Sequence, residues 1–200
     1  VQLITVTDNT APVFTSATIP SPIAVSCSAF PPPMPPAQTA TDNCATPTIN
    51  FSTINGQNPD PSSCGHYNYT FIRVWDAVDA CGNVTSRSQV INVSDNAAPT
   101  FPGAPANMNV SASPTCLTSV PLSVTASDNC AATPCLTTAY EVYLNTPWTL
   151  VASGNGLNAS GNYLPGNYTV IFSAAGPCGN IGLHTTTLNV VDNVAPTAIC

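Results

Sequence analysis

Two hundred residues make room for one or two domains, and 44% hydrophobic content is enough for packed cores. Only 6% of residues are charged and the net charge is −7; there is no Lys, and Arg73 and Arg87 are the only cations, so nucleic-acid binding lacks its electrostatic driving force. No apolar run reaches the roughly 18 residues of a membrane span, and Ser, Thr, Asn and Pro take the place of charges, leaving a hydrated surface that offers little to proteases cutting after Lys or Arg.

The chain opens on VQLITVT (1–7), an alternating segment that reads as the last strand of a preceding repeat. VTDNTAP (6–12) follows, and the same hinge returns as VSDNAAP (93–99) and VVDNVAP (190–196). FPPPMPPAQT (30–39) reads as a polyproline II connection on the surface. TATDNCA (39–45) leads to strands in TINFSTI (48–54), YNYTFIRVW (67–75) and SQVINVS (88–94), with the turn DACGN (79–83) between the last two. A second pass gives SVPLSVTAS (119–127), overlapping TASDNCA (125–131), then AYEVYL (139–144) and a longer loop over 145–163. NYTVIFSA (167–174), GPCGN (176–180) and HTTTLNVV (184–191) complete it. With 21 prolines and no sustained 3.6-residue period, helix is nearly excluded.

The hinge aspartates Asp8, Asp95 and Asp192 are spaced 87 and then 97 residues apart, with the other landmarks in the same order between them. That is a tandem repeat: 8–94 and 95–191, preceded by a last strand over 1–7 and followed by the start of another repeat over 192–200. About seven short strands in about 90 residues predict an all-β chain of immunoglobulin-like β-sandwiches arranged head to tail. Ala-Pro favours extended backbone at the join, and each module adds roughly 35–45 Å. Arg73 alternates with Phe71 and Trp75 on one strand face, where its guanidinium can stack or cover the sheet.

The nine cysteines form no C-x-x-C pair, and neither His66 nor His184 stands at zinc-finger spacing from them. Dispersed cysteines in an acidic Ser/Thr-rich chain point to disulfides and an extracellular or cell-surface location.

Together ATDNC, the Cys ahead of YNYTFIRVWDAVDACGN, the following strand and DNAAP resemble the hyalin-repeat (HYR) type of immunoglobulin-like module. The resemblance implies long extracellular adhesins or surface appendages such as algal mastigonemes. Repeat two departs from it at Gly176, which stands where repeat one has Asp79, and lacks the Cys before the aromatic strand. Strand directions in a sandwich of this type predict disulfides Cys27–Cys64, Cys44–Cys81 and Cys130–Cys178. They leave Cys116 with Cys135, and send Cys200 to a partner beyond the segment. Each bridge is worth about 2–4 kcal/mol.

The same directions bring Asp8, Asp42, Asp79 and Asn83 to one pole. No cofactor is required, and Ca²⁺ at the inter-repeat junction is one reading of these oxygens; Asx-turns are the other. Sequons stand at Asn50, Asn68, Asn83, Asn92, Asn109, Asn158 and Asn167, and Pro31, Pro32 and Pro33 are candidates for hydroxylation and sugar attachment. No nucleophile–base motif, phosphate loop or paired catalytic carboxylate stands out; Asp76 and Asp79 fit a turn better than acid/base work.

The expected function is a non-catalytic structural module of a long extracellular filament or appendage. Its partners would be copies of itself or neighbouring repeats. The alternative is the stalk or ligand-binding repeats of a cell-surface adhesin, with Trp148 and Tyr163 of the 145–163 loop meeting a glycan. An accessory domain of a secreted enzyme is a third reading.

Overall fold

The computed structural model describes residues 1–16, 18 and 20–193; Cys200 and the third Ala-Pro lie outside the described residues. The chain divides into two compact units, Val1–Asp95 and Asn96–Cys200. Among the described residues all regular structure is strand, apart from single 3-10 turns at Cys27–Ala29, Cys64–His66 and Thr133–Cys135. The protein is all-β.

Unit 1 contains β1 (Val13–Phe14), β2 (Ile23–Ser26), β3 (Ala40–Thr41), β4 (Thr48–Asn55), β5 (Tyr69–Val78) and β6 (Val84–Ser94). Its main sheet runs β2-β6-β5-β4, with β2 parallel to β6 and the other pairs antiparallel. β1 and β3 form a separate two-stranded pair. Burial alternates along β5, with Arg73, Trp75 and Ala77 inward, as a half-covered strand requires. One core cluster here packs Phe14, Trp75 and Ala77 with Ala40 and Ile49 against them, and Tyr67, Ile91 and Val93 are buried as well.

Seven strands were expected in this repeat, but residues 56–68 contain none. They fold on themselves instead. The Asn58 N–H donates to Gly65 O (2.9 Å), the Tyr67 hydroxyl to Pro61 O (2.9 Å), and the Gln57 amide to His66 O (3.0 Å). The opening 1–7 segment is also outside any strand, with Leu3, Ile4 and Val6 exposed.

Unit 2 contains β7 (Asn107–Ser111), β8 (Thr118–Val120), β9 (Thr137–Asn145), β10 (Trp148–Asn155), β11 (Gly161–Tyr163), β12 (Gly166–Ala175) and β13 (Ile181–Val191). The main sheet is β10-β9-β12-β13-β7, with β7 parallel to β13, and β11-β8 is the second sheet. The predicted strand 119–127 survives only in part. Pro121 has no N–H to give the ladder, so β8 stops at Val120, and single bridges at Ser123↔Asn158 and Thr100↔Ser127 continue its path. The core between the sheets is continuous: Val120, Leu122, Val142, Val170, Phe172, Leu188 and Val190 are all buried. Each such side chain contributes about 1.5–3 kcal/mol by leaving water.

Parallel pairing of an early strand with the last one, beside an antiparallel C–F–G-type core, is the immunoglobulin-like arrangement. Unit 2 adds a tyrosine corner. Tyr168, at the start of the next-to-last strand, donates its hydroxyl to Leu164 O at 2.9 Å. Proline in the recurring Ala-Pro step is a packing element as well as a stiffener. Pro12 is fully buried, and a Cβ on Gly182 of β13 would stand 1.9 Å from Pro99 O.

Candidate functional site at the poles and sheet edges

Register fixes which groups share a pole. In unit 1, Val78 pairs with Val84 and Thr48 with Val78, so the turns holding Cys44 and Cys81 lie at one end. Ser26 pairs with Ser94 and Tyr69 with Val93, which puts Cys27 and Cys64 at the other.

At the first pole the Asp8 and Asp42 carboxylates and the Cys44 sulfur lie within 4.8 Å of one another. Each aspartate closes its own turn. Asp8 accepts from the Thr10 N–H (3.0 Å) and Asp42 from the Cys44 N–H (3.0 Å). Asp79 accepts from the N–H groups of Cys81 (2.9 Å) and Asn83 (2.8 Å) and from the Asn83 side-chain amide (2.7 Å). That amide also donates to Asp8 O at 3.1 Å, tying the Asp-Asn corner to the β5–β6 turn. The turn needs a residue at positive φ, which Gly82 (+90°) supplies and Gly179 (+83°) repeats in unit 2.

These bonds set the electrostatics. The Asn83 amide is the main reason the Asp79 carboxyl lies below its ordinary value. Asp8 is lowered chiefly by the Thr10 N–H and then by the Cys44 thiol. In return, hydrogen bonding to Asp8 pushes the Cys44 thiol up, aided by desolvation and the nearby Asp8, Asp42 and Cys81 groups. Both oxygens of Asp79 are committed to N–H donors. The corner closes as a set of Asx-turns through its own N–H groups. In unit 2, Asp128 repeats the turn toward the Cys130 (2.9 Å) and Ala131 (2.8 Å) N–H groups, and its Oδ2 is buried without a hydrogen bond.

Cys27, Cys64, Cys130 and Cys178 are disulfide-bonded. Cys44, Cys81, Cys116 and Cys135 are free thiols. The expected Cys44–Cys81 bridge is thus open, although both residues sit at one pole and Cys81 is among the groups that raise the Cys44 thiol. The expected Cys116–Cys135 bridge is ruled out by topology. Cys116 follows β7, whose end pairs with Val191, whereas Cys135 precedes β9, whose start pairs with Ala175, itself opposite Ile181. The two thiols lie at opposite ends of the sheet, separated by about ten residues of strand, or roughly 30 Å.

The two arginines staple unit 1. Arg73 is only 3% exposed; it donates to Pro32 O (2.6 Å), Pro33 O (2.9 Å) and Gln89 Oε1 (3.2 Å). A proline run offers carbonyls without matching N–H groups, and a guanidinium supplies donors in their place. Pro32 is consequently buried, not on the surface, and only Pro31 and Pro33 remain accessible to modification. The stacking expected of Arg73 belongs to Arg87, whose guanidinium lies 4.5 Å over the Phe14 ring. Arg87 also reaches Ser16 O (3.3 Å).

Of the sequons, Asn50, Asn68, Asn92, Asn109, Asn158 and Asn167 are exposed. Asn83 is half-buried with its amide spent on Asp8 and Asp79, a poor glycan acceptor. Trp148 is 59% exposed but stacks on Tyr143 (4.7 Å, 12°), not Tyr163, which is buried with its hydroxyl on Ala159 O. His66 Nδ1 is hydrogen-bonded to Asn58 O and His184 Nε2 to Pro105 O.

Both main sheets end in a long uncharged edge strand. In β4 (TINFSTIN), Phe51 is 47% and Ile54 57% exposed. In β10 (WTLVASGN), Trp148, Leu150 and Val151 stand out of the surface, and a bulge between Leu150 and Ala152 interrupts its pairing with β9.

No family model matches the chain, and no curated protein does. Among solved structures, cadherin domains 1–4 of Protocadherin Gamma B7 align at 14% identity over 92% of this chain and 51% of theirs, with a TM-score of 0.40. Mouse Cadherin-23 EC22–24 gives 18% over 92% and 65%, TM-score 0.38. Immunoglobulin domains 1–5 of Sidekick-1 give 17% over 92% and 40%, TM-score 0.35. The chain spans about half the length of the first of these structures. It is similar to repeated extracellular β-sandwich domains at low identity.

Proposed function

We propose that this chain is a non-catalytic structural segment of an extracellular filament or surface appendage, in which copies associate side by side through the edges of their sheets. The observation that carries this reading is the pair of uncharged, exposed edge strands β4 and β10. Monomeric proteins blunt such edges with Lys, Pro, inward charges or bulges, because unpaired N–H and C=O groups template pairing with another chain; β4 carries none of these, and β10 carries only the bulge between Leu150 and Ala152. Disulfides at four cysteines fit an oxidising, extracellular compartment. The test is electron microscopy and sedimentation of the purified chain beside an Ile54→Lys/Leu150→Lys variant. Concentration-dependent polymers abolished by the two lysines support the reading; a chain monomeric at every concentration rejects it.

The adhesin alternative draws on the exposed Trp148–Tyr143 stack and predicts isolated tethers on the native cell surface. Calcium is not built into the proposal, because the first pole closes through its own N–H groups. Treatment with EGTA is expected to leave the Tm unchanged. A fall of several degrees restored by Ca²⁺ would put an ion at the Asp–Asn corner.

A further inference from the structure

The geometry points to a binding site for a neutral pyranoside in unit 2, in the cleft between β10 and β11. These strands belong to different sheets and do not pair, so the sandwich gapes at this edge. The gap is a cavity of about 310 Å³ lined by Tyr140, Tyr163, Tyr168, Leu144, Ala152 and Asn162, among others, at the lower end of the range for small-molecule sites.

Its construction is specific. Tyr140 lies across the neighbouring strand over Gly154, where a Cβ would stand 2.9 Å from the ring, so glycine is what lets the ring form this wall. Tyr163 and Tyr168 meet edge to face at 5.2 Å, and both spend their hydroxyls on backbone carbonyls. They therefore contribute ring surface. The Tyr140 hydroxyl and the Asn162 side-chain amide make no hydrogen bond to the chain among the described residues, and remain available.

No charged residue lines the cavity, and a net charge of −7 disfavours anions. Apolar ring faces beside unspent hydroxyl and amide groups match a molecule with C–H faces and hydroxyl edges: a neutral sugar ring. An aliphatic or aromatic side chain of a protein partner would leave both polar groups unpaired. The cleft shares β10 with the proposed assembly edge, but glycoside contact and polymer formation are read by different measurements, so either idea can fail without the other.

The test is saturation-transfer NMR on the full chain, with methyl glycosides of glucose, galactose and mannose as probes and toluene as the apolar control. Irradiating the tyrosine ring protons is expected to saturate C–H protons of at least one glycoside. Ala152→Phe, which fills the cleft from the exposed strand, is expected to abolish the effect. Tyr140→Phe keeps the ring and is expected to weaken binding by about five-fold, as is Asn162→Ala, which covers the case of a misfolded Ala152→Phe. Transfer unchanged in all three variants overturns the assignment. So does silence from every glycoside, whether or not toluene binds.

Discussion

The two units solve one problem in different ways. Each must cover the inner face of a C–F–G-type sheet. Unit 2 does it with a second sheet, β8 and β11, which seals Val142, Val170 and Phe172 from water. Unit 1 has only the two-residue strands β1 and β3. A proline run lies over the rest, fastened by the buried Arg73, while Arg87 clasps the first strand. At the matching position of β12 stands Val170, fully buried. At this one position a buried apolar contact in unit 2 is replaced by a buried hydrogen-bonded one in unit 1. Local composition decides which solution is available: carbonyl-rich, N–H-poor proline needs an external donor, whereas alternating strands need only each other.

Exchanging the two residues is the sharpest way to break this comparison. Val170→Arg buries a guanidinium with no proline carbonyls opposite it, and is expected to cost about 3–5 kcal/mol. Arg73→Val leaves the buried Pro32 carbonyl without its donor, and is expected to cost about 1.5–3 kcal/mol. Calorimetry of both variants checks the order. If Arg73→Val is neutral, the proline run is held by something other than its staple.

A smaller contrast lies at the hinge. Gly182→Ala drives a Cβ into Pro99 O and is expected to cost about 1–3 kcal/mol. Unit 1 already carries Thr85 at the equivalent position, so Thr85→Ala is expected to shift stability by less than about 1 kcal/mol. Urea unfolding monitored by fluorescence compares the two.

Acid separates the poles. Asp79 has a folded-state carboxyl below its ordinary value. Its contribution is therefore present above about pH 4 and is lost as pH falls through the lowered value. Unit 2 has Gly176 there. The Tm is expected to fall below about pH 4, and Asp79→Asn is expected to flatten that fall. The smallest effect is chemical. The Cys44 thiol, raised chiefly by its bond to Asp8, is expected to react several-fold more slowly with iodoacetamide at pH 8 than the same thiol in Asp8→Ala. Its share of stability is present below the ordinary thiol value and is lost as pH rises through the raised one. Peptide mapping of the alkylated chain reads the rates.

The long strands and the CGN turns were legible in the sequence because period-two alternation and Gly at a positive-φ turn are local signals. The shared pole of Cys44 and Cys81 followed from strand direction. Three features were hidden because they depend on distant partners. Arg73 reads as a surface residue until the proline carbonyls arrive from forty residues away. The Tyr163 hydroxyl looks free for a ligand until its sheet turns it inward onto Ala159 O. Cys116 and Cys135 look like a leftover pair until the strand path sends them to opposite ends. Leu164-Pro165-Gly166-Asn167-Tyr168 carries a local signal too, the spacing of a tyrosine corner.

Turning both guanidiniums toward proline and backbone carbonyls has an effect felt outside the fold. What the molecule shows to water is then almost wholly carboxylate and neutral, so approaching copies repel at long range. Added electrolyte shortens that repulsion, to about 10 Å at 0.1 M and about 3 Å at 1 M. Salt should therefore act as a switch for lateral association, bringing neutral sheet margins within bonding distance only once the like-charged halo around each chain has been compressed.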